Sequence, residues 1–205
     1  GVSSAKATTL LGAAAATAYG TGDNNNAVGQ SSGVVHVAQM KSQLQTAKIL
    51  TSPCDPVKAG AGEELNAGWK SANRATIANA LSYAFIEGGD VQRPASVIAV
   101  TKNVGIVGGG SSLASTTAAG QWRGSDETVG TGDTARPPAT AMASLNKSQG
   151  QLVNADGSAK QSTNADLGSG GKIVKAHINS RGGTTNNGGN GSAKVMRDNE
   201  DPDAN

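Results

Sequence analysis

The sequence predicts an α+β fold, in which an N-terminal α-helix packs on a small antiparallel β-sheet and long irregular loops join the strands. Three observations predict this class. The chain of 205 residues begins with an alanine-rich segment without proline, which favours a helix. Short apolar runs bounded by turn-forming residues follow, as expected of strands. Between them lie segments rich in Gly, Ser, Thr and Asn, which are typical of loops.

Two helices are predicted before the first strand. The first spans Ser4 to about Tyr19 and ends where a cluster of Gly, Asp and Asn residues follows at 20–26. Its apolar face consists mostly of alanine, which allows close approach to a neighbouring element but covers little area. The second spans about Val37 to Leu50, where apolar residues recur at helical spacing, and it ends before Pro53.

Strands are predicted in the middle and late parts of the chain. The apolar runs Ala80–Ile86 and Ser96–Thr101 are suited to strands. A hairpin is predicted from Gln151–Asn154 and Ser158–Gln161, because Asp156 and Gly157 between them favour a tight turn with a positive φ. A last strand is predicted at Lys172–Ile178.

Long loops are predicted to separate these elements. Gly108–Asp133 and Arg181–Gly191 are rich in Gly, Ser, Thr and Asn, and we expect them to be irregular. The acidic tail from Asp198 onward is expected to be mobile. These expectations divide the chain into a helical segment at 1–22, an α+β head at 23–178 and a flexible tail at 179–205.

Composition restricts the possible partners. Hydrophobic residues make up 36% of the chain, but many are alanine, so the expected core is thin. Aromatic residues are 2% and the net charge is +2, which argues against base stacking and against binding of a phosphate backbone. We therefore expect no nucleic-acid partner. The sequence also contains no apolar run of the length that crosses a bilayer.

The residue types that serve catalysis are better explained as structural. His36 lies in an apolar run and is expected to be half-buried, His177 is expected to be exposed on a strand, and Cys54 is expected to be a small buried thiol. The glycine-rich stretches 104–111 and 168–172 do not have the spacing of phosphate-binding loops. We predict no catalytic residue, no cofactor and no enzymatic activity.

A calcium site is an alternative only in the C-terminal tail. Calcium accepts carboxylate ligands with loose geometry, and four acidic residues lie close together there: Asp198, Glu200, Asp201 and Asp203. Their spacing lacks the central glycine of an EF-hand loop. A solvated acidic tail without a metal is the favoured interpretation.

Several short motifs occur in an order that is characteristic of one family. Tyr19 precedes an Asp-Asn-Asn stretch, and Pro53-Cys54-Asp55-Pro56 follows. Ser82-Tyr83, then Arg93-Pro94-Ala95-Ser96 before an apolar strand, then the Asp-Gly hairpin at 151–158 complete the series. In this order the chain resembles type IV pilin-like and pseudopilin-like proteins of Planctomycetes and Verrucomicrobia, whose head carries His, nine residues and then Asp-Gly. The resemblance covers about Ser4 to Leu167.

Two departures from the family pattern are apparent. Asn146 stands where the family has His, ten positions before Asp156, so a hydrogen-bonding side chain is kept but an imidazole is lost. The apolar first half of the family's stem helix, with its processing site, does not occur in this sequence. The positions that match the family motifs are Pro53, Cys54, Asp55, Pro56, Ser82, Tyr83, Asn146, Asp156 and Gly157.

The resemblance implies a structural subunit of an extracellular filament or of a secretion-type pseudopilus, without catalysis. It implies a homo-oligomer at the cell surface, attached to a membrane only through an upstream apolar helix. Two alternatives remain open. One is an adhesin or minor pilin whose loops bind polysaccharide. The other is a viral coat or fibre protein, since Gly-, Ala-, Thr- and Asn-rich β chains occur there too.

Overall fold

The computed structural model describes residues 31–36, 38–86, 89, 92–106, 113, 120–180, 193 and 195–196. Helices and strands both occur, and the predicted α+β class is confirmed. The predicted helix at Ser4–Tyr19, the loop at Arg181–Gly191 and the acidic tail lie outside the described residues. So does the expected packing of the first helix on the sheet.

Helices occupy the first part of the described chain and return near its end. The described α-helices are α1 (Ser31–His36), α2 (Ala38–Leu44), α3 (Pro56–Ala67), α4 (Arg74–Ala80) and α5 (Lys172–Ser180). Short 3-10 helices are described at Ala47–Leu50, Trp69–Ser71, Gly132–Thr134 and Asn164–Asp166.

The strands form two antiparallel sheets within the described residues. The strands are β1 (Tyr83–Ile86), β2 (Val97–Thr101), β3 (Val104–Ile106), β4 (Gly120–Trp122), β5 (Gly150–Asn154), β6 (Ala159–Ser162) and β7 (Val195–Met196). The main sheet has five strands in the order β6-β5-β2-β1-β7, and β3 pairs with β4 in a second sheet. All of these pairings are antiparallel.

Strand β1 separates two apolar clusters, because successive side chains of a strand point to opposite faces. Ala84 and Ile86 belong to the sheet-side core, together with residues of β2, β5, β7 and α5 and with Trp122. Tyr83 and Phe85 pack against the helix-side core, which is formed by α1, α3, α4 and the two 3-10 helices that flank α3. The main sheet is therefore covered at β1 by helices on one face and by α5 with the β3-β4 sheet on the other.

The hairpin prediction is confirmed. Strands β5 and β6 pair, and the Gly157 N–H donates to the Asn154 carbonyl at 3.0 Å to close the turn between them. Gly157 has φ +83°, the left-handed conformation that glycine adopts without steric cost. The strands predicted at Ala80–Ile86 and Ser96–Thr101 are found over Tyr83–Ile86 and Val97–Thr101, and Ala80 itself ends helix α4.

Three sequence predictions are corrected. Lys172–Ile178 is helical rather than extended, and α5 buries Val174 and Ile178, four residues apart, on the face toward the main sheet. The predicted helix Val37–Leu50 is divided, because Gln45 adopts φ 58° between α2 and the following 3-10 helix. Gly108–Asp133 is not wholly irregular, since it contains β4.

Candidate functional site

The family-motif residues Asp55 and Ser82 meet in a buried polar cluster, although they are far apart in the sequence. Asp55 directly precedes α3, and Ser82 directly precedes β1. Both side chains are buried, with Asp55 1% and Ser82 0% exposed. Lys102, which follows β2, completes the arrangement. We call these three residues the Asp55 cluster.

One carboxylate oxygen of Asp55 receives both polar contacts. The Ser82 hydroxyl donates to Asp55 Oδ2 at 2.9 Å, and the Lys102 ammonium lies 3.1 Å from the same oxygen. The second oxygen, Oδ1, is buried and makes no hydrogen bond among the described residues. The charge of Asp55 is therefore balanced by Lys102, and among the described residues only one of its two carboxylate oxygens has polar partners.

Main-chain hydrogen bonds hold the same three segments together. The Ser82 N–H donates to the Leu50 carbonyl at 2.9 Å, and the Lys102 N–H donates to the Ser82 carbonyl at 2.9 Å. The Asp55 N–H donates to the Ser52 carbonyl at 2.9 Å, which forms the turn before α3. The cluster thus joins the start of α3 to the start of β1 and the end of β2.

This geometry supports a structural role. The Ser82 hydroxyl is fully buried and donates to a carboxylate that is itself 1% exposed, so both groups are engaged in a contact inside the fold. Lys102 is the one member that borders solvent, with 13% of its side chain exposed. In the Asp55 cluster, Lys102 neutralises the buried carboxylate and Ser82 hydrogen-bonds to it. A buried ion pair needs both kinds of contact.

The remaining residues of the Pro-Cys-Asp-Pro motif surround this turn. Pro56 is the first residue of α3, where its fixed φ and missing N–H are favourable. Pro53 is exposed on the turn. Cys54 is only partly buried, which corrects the expected buried thiol, and its carbonyl accepts a hydrogen bond from the Ser144 N–H at 3.2 Å. Tyr83 is partly buried against the helix-side core.

Asn146 and Asp156 lie at exposed turns. The Asn146 N–H donates to Gln149 Oε1 at 2.9 Å, and its carbonyl accepts from the Gln149 N–H at 3.0 Å. Asp156 accepts from the Ser158 hydroxyl at 2.6 Å and from the Ser158 N–H at 2.8 Å. These hydrogen bonds, the hydroxyl first, lower the pKa of Asp156. The hydrogen bonds described for Asn146 and Asp156 are local and stabilise the turns in which these residues lie.

Both histidines differ from expectation. His177 is 1% exposed on α5, not exposed on a strand, and its Nδ1 accepts a hydrogen bond from the Val97 N–H at 3.0 Å. His36 is exposed at the end of α1 rather than half-buried. Partial desolvation first, and then the charges of Lys41 and Arg74, lower the pKa of His36.

A second polar junction, which sequence reasoning missed, lies beside the Asp55 cluster. Asn103 is fully buried, and its Nδ2 donates to the carbonyls of Arg123 and Gln149, at 2.8 Å each. The Arg123 guanidinium lies 3.7 Å from Glu127, whose other oxygen accepts from the Gly124 N–H at 2.7 Å. This junction connects the β2-β3 turn with β4 and β5.

Lys102 and Asn103 were also missed as site residues. A lysine followed by an asparagine after an apolar strand is typical of a turn exposed to solvent. The sequence around Lys102 and Asn103 therefore does not indicate that they contribute to a buried site. Only the burial of Asp55 in the structure calls for a cationic partner, which is Lys102.

The described surface carries two clefts along α3. The larger, of about 320 Å³, lies between α3 and α4, and the smaller, of about 190 Å³, lies between α3 and the Thr51–Pro53 turn. Within the described residues, no group of three or more His, Cys, Asp or Glu is placed to hold a metal ion. The tail residues of the calcium alternative, Asp198, Glu200, Asp201 and Asp203, lie outside the described part of the chain.

No described helix is both long enough and apolar enough to span a membrane. Comparison of the chain with protein-family models, with curated proteins and with solved structures gave no match. The described residues define an α+β protein in which a buried polar cluster fastens a helix to the central strands of a sheet.

Proposed function

We propose that this chain is a structural subunit of an extracellular filament or of a secretion-type pseudopilus. The observation that carries the proposal is the contact between Asp55 and Ser82. These residues belong to two separate motifs of the pilin-like resemblance, and a 2.9 Å hydrogen bond joins them in the interior. Subunits that assemble with one another present the same surface patches on every copy. An internal contact that fixes the relative positions of α3, β1 and β2 supports this requirement.

Exposed apolar side chains supply a second argument. Val57 is 80% exposed at the start of α3, and Ile49 is 51% exposed on the 3-10 helix that packs against α3. Burial of such side chains between copies would contribute favourable free energy to assembly. The proposed partner is therefore another copy of the chain.

Assembly is the experiment that tests this function. An epitope-tagged gene product would be expressed in the organism that encodes it, and filaments sheared from the cells would be examined by immunogold microscopy and immunoblotting. We expect the native protein in the filament or pseudopilus fraction. We expect Val57→Glu to reduce incorporation several-fold while the far-UV circular dichroism and Tm of the purified variant stay unchanged.

Gln161→Glu is the matched control, because it adds the same charge to an exposed position on β6. We expect it to incorporate normally. Absence of the native protein from filament and pseudopilus fractions would refute the proposal. Recovery in virus particles would favour the coat alternative. Recovery as a monomer that binds a glycan array would favour the adhesin.

A further inference from the structure

Strand β6 has no neighbouring strand on its outer side within the described residues. It is the last strand of the main sheet, where it pairs with β5, and its residues Ala159, Lys160 and Gln161 are exposed. A sheet edge of this kind presents main-chain N–H and C=O groups that can pair with another strand. The register of the β5-β6 hairpin determines which groups these are.

The outward main-chain groups belong to Ala159 and Gln161. The Asn154 N–H donates to the Ser158 carbonyl at 2.9 Å. From such a pair onward, opposing residues of an antiparallel hairpin alternate between hydrogen-bonded and non-hydrogen-bonded positions. Lys160 is therefore hydrogen-bonded to β5, whereas Ala159 and Gln161 direct their N–H and C=O groups away from it.

The hydrogen bonds of β5 support this assignment. Gln151 lies opposite Gln161, and its N–H donates to the Thr101 hydroxyl of β2 at 3.0 Å. The Gln151 carbonyl accepts from the same hydroxyl at 3.3 Å. Because the main-chain groups of Gln151 face β2, those of Gln161 face outward.

Carboxylates of the same chain bound the open part of the edge. On one side the Ser158 N–H donates to Asp156 Oδ1 at 2.8 Å, and on the other the Thr163 N–H donates to Asp166 Oδ2 at 3.0 Å. The two outward residues between these turns therefore supply two donors and two acceptors for an added strand.

Lys160 lies between the two outward residues and places a positive charge at the middle of the edge. It is opposite Leu152, so its side chain projects on the same face of the sheet as the sheet-side core. None of the ion pairs of the described residues includes Lys160. The hydrogen bonds from Ser158 first, and the charge of Lys160 only after them, lower the pKa of Asp156 in the adjoining turn. The ammonium is therefore available to a residue on an added strand.

This charge disfavours pairing with an identical copy. In the antiparallel register that pairs all four outward groups, Ala159 of one copy faces Gln161 of the other, and the two Lys160 side chains face each other. They then occupy a non-hydrogen-bonded position, where opposing Cα atoms are about 4.5 Å apart. Like charges directly opposite each other destabilise a strand pair, and opposite charges stabilise it.

We propose that the outer edge of β6 is a strand-addition site that accepts an extended segment with a carboxylate opposite Lys160 and rejects the β6 of an identical copy. The main-chain hydrogen bonds of the edge supply affinity, and the facing charges supply selectivity. The site is independent of the filament function, which uses Val57 on α3, so either proposal can fail alone.

A second copy of the chain with Lys160→Glu supplies the carboxylate and is the probe. One chain carries Ala159→Cys, the other carries Gln161→Cys with Lys160→Glu, and both are made in a Cys54→Ser background. In the proposed pairing the two cysteines face each other with Cα atoms about 5.5 Å apart, a distance that a disulfide spans. Mild oxidation followed by a non-reducing gel measures the crosslinked fraction.

We expect the crosslinked fraction to be several-fold larger in this mixture than in the matching mixture in which both chains keep Lys160. We expect the difference to shrink at about 1 M salt, where the Debye length falls to ~3 Å. Lys175→Glu, which makes the same change of charge at an exposed position on α5, is the matched control. It should leave crosslinking at the level seen when both chains keep Lys160.

Sedimentation velocity supplies a second measurement without cysteines. We expect a dimer in the mixture of the native chain with Lys160→Glu that neither chain forms alone. Adding Gln161→Pro to the Lys160→Glu chain removes an outward N–H, which an edge strand tolerates, and should reduce this dimer several-fold. Far-UV circular dichroism and Tm of each variant verify that its fold is kept.

Equal crosslinking with and without Lys160→Glu would overturn the proposal, because the charge would then not select the partner. An equal increase with Lys175→Glu, or absence of a crosslink from every mixture, would also overturn it.

Discussion

Asp55 and Lys102 form an asymmetric ion pair. Asp55 is 1% exposed and cannot reach water, whereas the Lys102 side chain is 13% exposed and borders solvent. A lysine in that position can extend its ammonium into water if its partner is lost, since its stem is long and flexible. Removal of Lys102 and removal of Asp55 should therefore lower the free energy of unfolding by different amounts.

Lys102→Met is predicted to destabilise the protein more than Asp55→Asn. The first change leaves a buried carboxylate without its cation, which costs roughly 3 to 5 kcal/mol. The second leaves a lysine that can move to water, and we expect a loss of about 1 to 2 kcal/mol from the altered hydrogen bonding. Urea unfolding of both variants, followed by circular dichroism, measures the two free energies.

The double variant Lys102→Met/Asp55→Asn is the control for this mechanism. Because no buried charge remains in it, we expect it to be more stable than Lys102→Met alone. If adding Asp55→Asn lowers stability further by its full single-variant cost, the two residues are not coupled and the charge argument is wrong.

At the scale of single elements, two glycines have opposite roles. Gly150 begins β5 directly against the Trp122 indole, and a Cβ there would lie 2.0 Å from a ring atom. Gly60 lies inside α3, and a Cβ there would meet nothing within 4 Å. Only the first glycine is required by packing.

Gly150→Ala is predicted to destabilise the protein and Gly60→Ala to stabilise it. Overpacking against a fully buried indole costs typically 1 to 3 kcal/mol, whereas replacing a helical glycine by alanine at an open position gains about 0.5 to 1 kcal/mol. Thermal unfolding of the two variants beside the native chain measures both effects. A stability loss in Gly60→Ala, or none in Gly150→Ala, would contradict the packing described for these elements.

The elements that sequence could predict are those with a strong local signal. Ser96–Thr101 contains four consecutive apolar residues, which predict a strand. Gly157 supplies the positive φ that the turn between β5 and β6 needs. Helix α3 was missed, because Pro56 and two interior glycines resemble a loop, whereas proline is favourable at a helix start. In α5, Val174, Ala176 and Ile178 fit a strand as well as a helix, and tertiary packing decides.

The candidate site was predictable only in part. Asp55 and Ser82 were identified through motifs, but their mutual contact and the role of Lys102 depend on segments brought together by the fold. Partners distant in sequence leave no periodic pattern, so neither spacing nor composition could have revealed the cluster.

At the scale of the whole molecule, the two cores share β1 and should unfold together. Each core contains one of the two tryptophans: Trp69 lies in the helix-side core and Trp122 in the sheet-side core. Each indole therefore reports on a different half of the described fold.

A mutation in one core is predicted to shift the unfolding reported by the other. In the Trp69→Phe background only Trp122 remains, and Ile77→Ala in the helix-side core removes a fully buried side chain. We expect the free energy of unfolding reported by Trp122 fluorescence to fall by about 2 to 5 kcal/mol, because the substitution removes buried apolar atoms and leaves a cavity. The midpoint of the fluorescence transition should coincide with that from circular dichroism. An unchanged Trp122 transition would mean that the two cores are independent units.

Because β7 pairs with β1, the main sheet can be completed only after residues 195 and 196 have been synthesised. β1 forms early in the chain, yet one of its two neighbours in the sheet is Val195–Met196, and Ala193 and Val195 also enter the sheet-side core. Until residues 195 and 196 have been translated, the free edge of β1 offers unpaired N–H and C=O groups to other chains. A nascent chain that is released early, or that stalls before residue 195, therefore exposes an open sheet edge, which is the feature that chaperones and proteases would meet first.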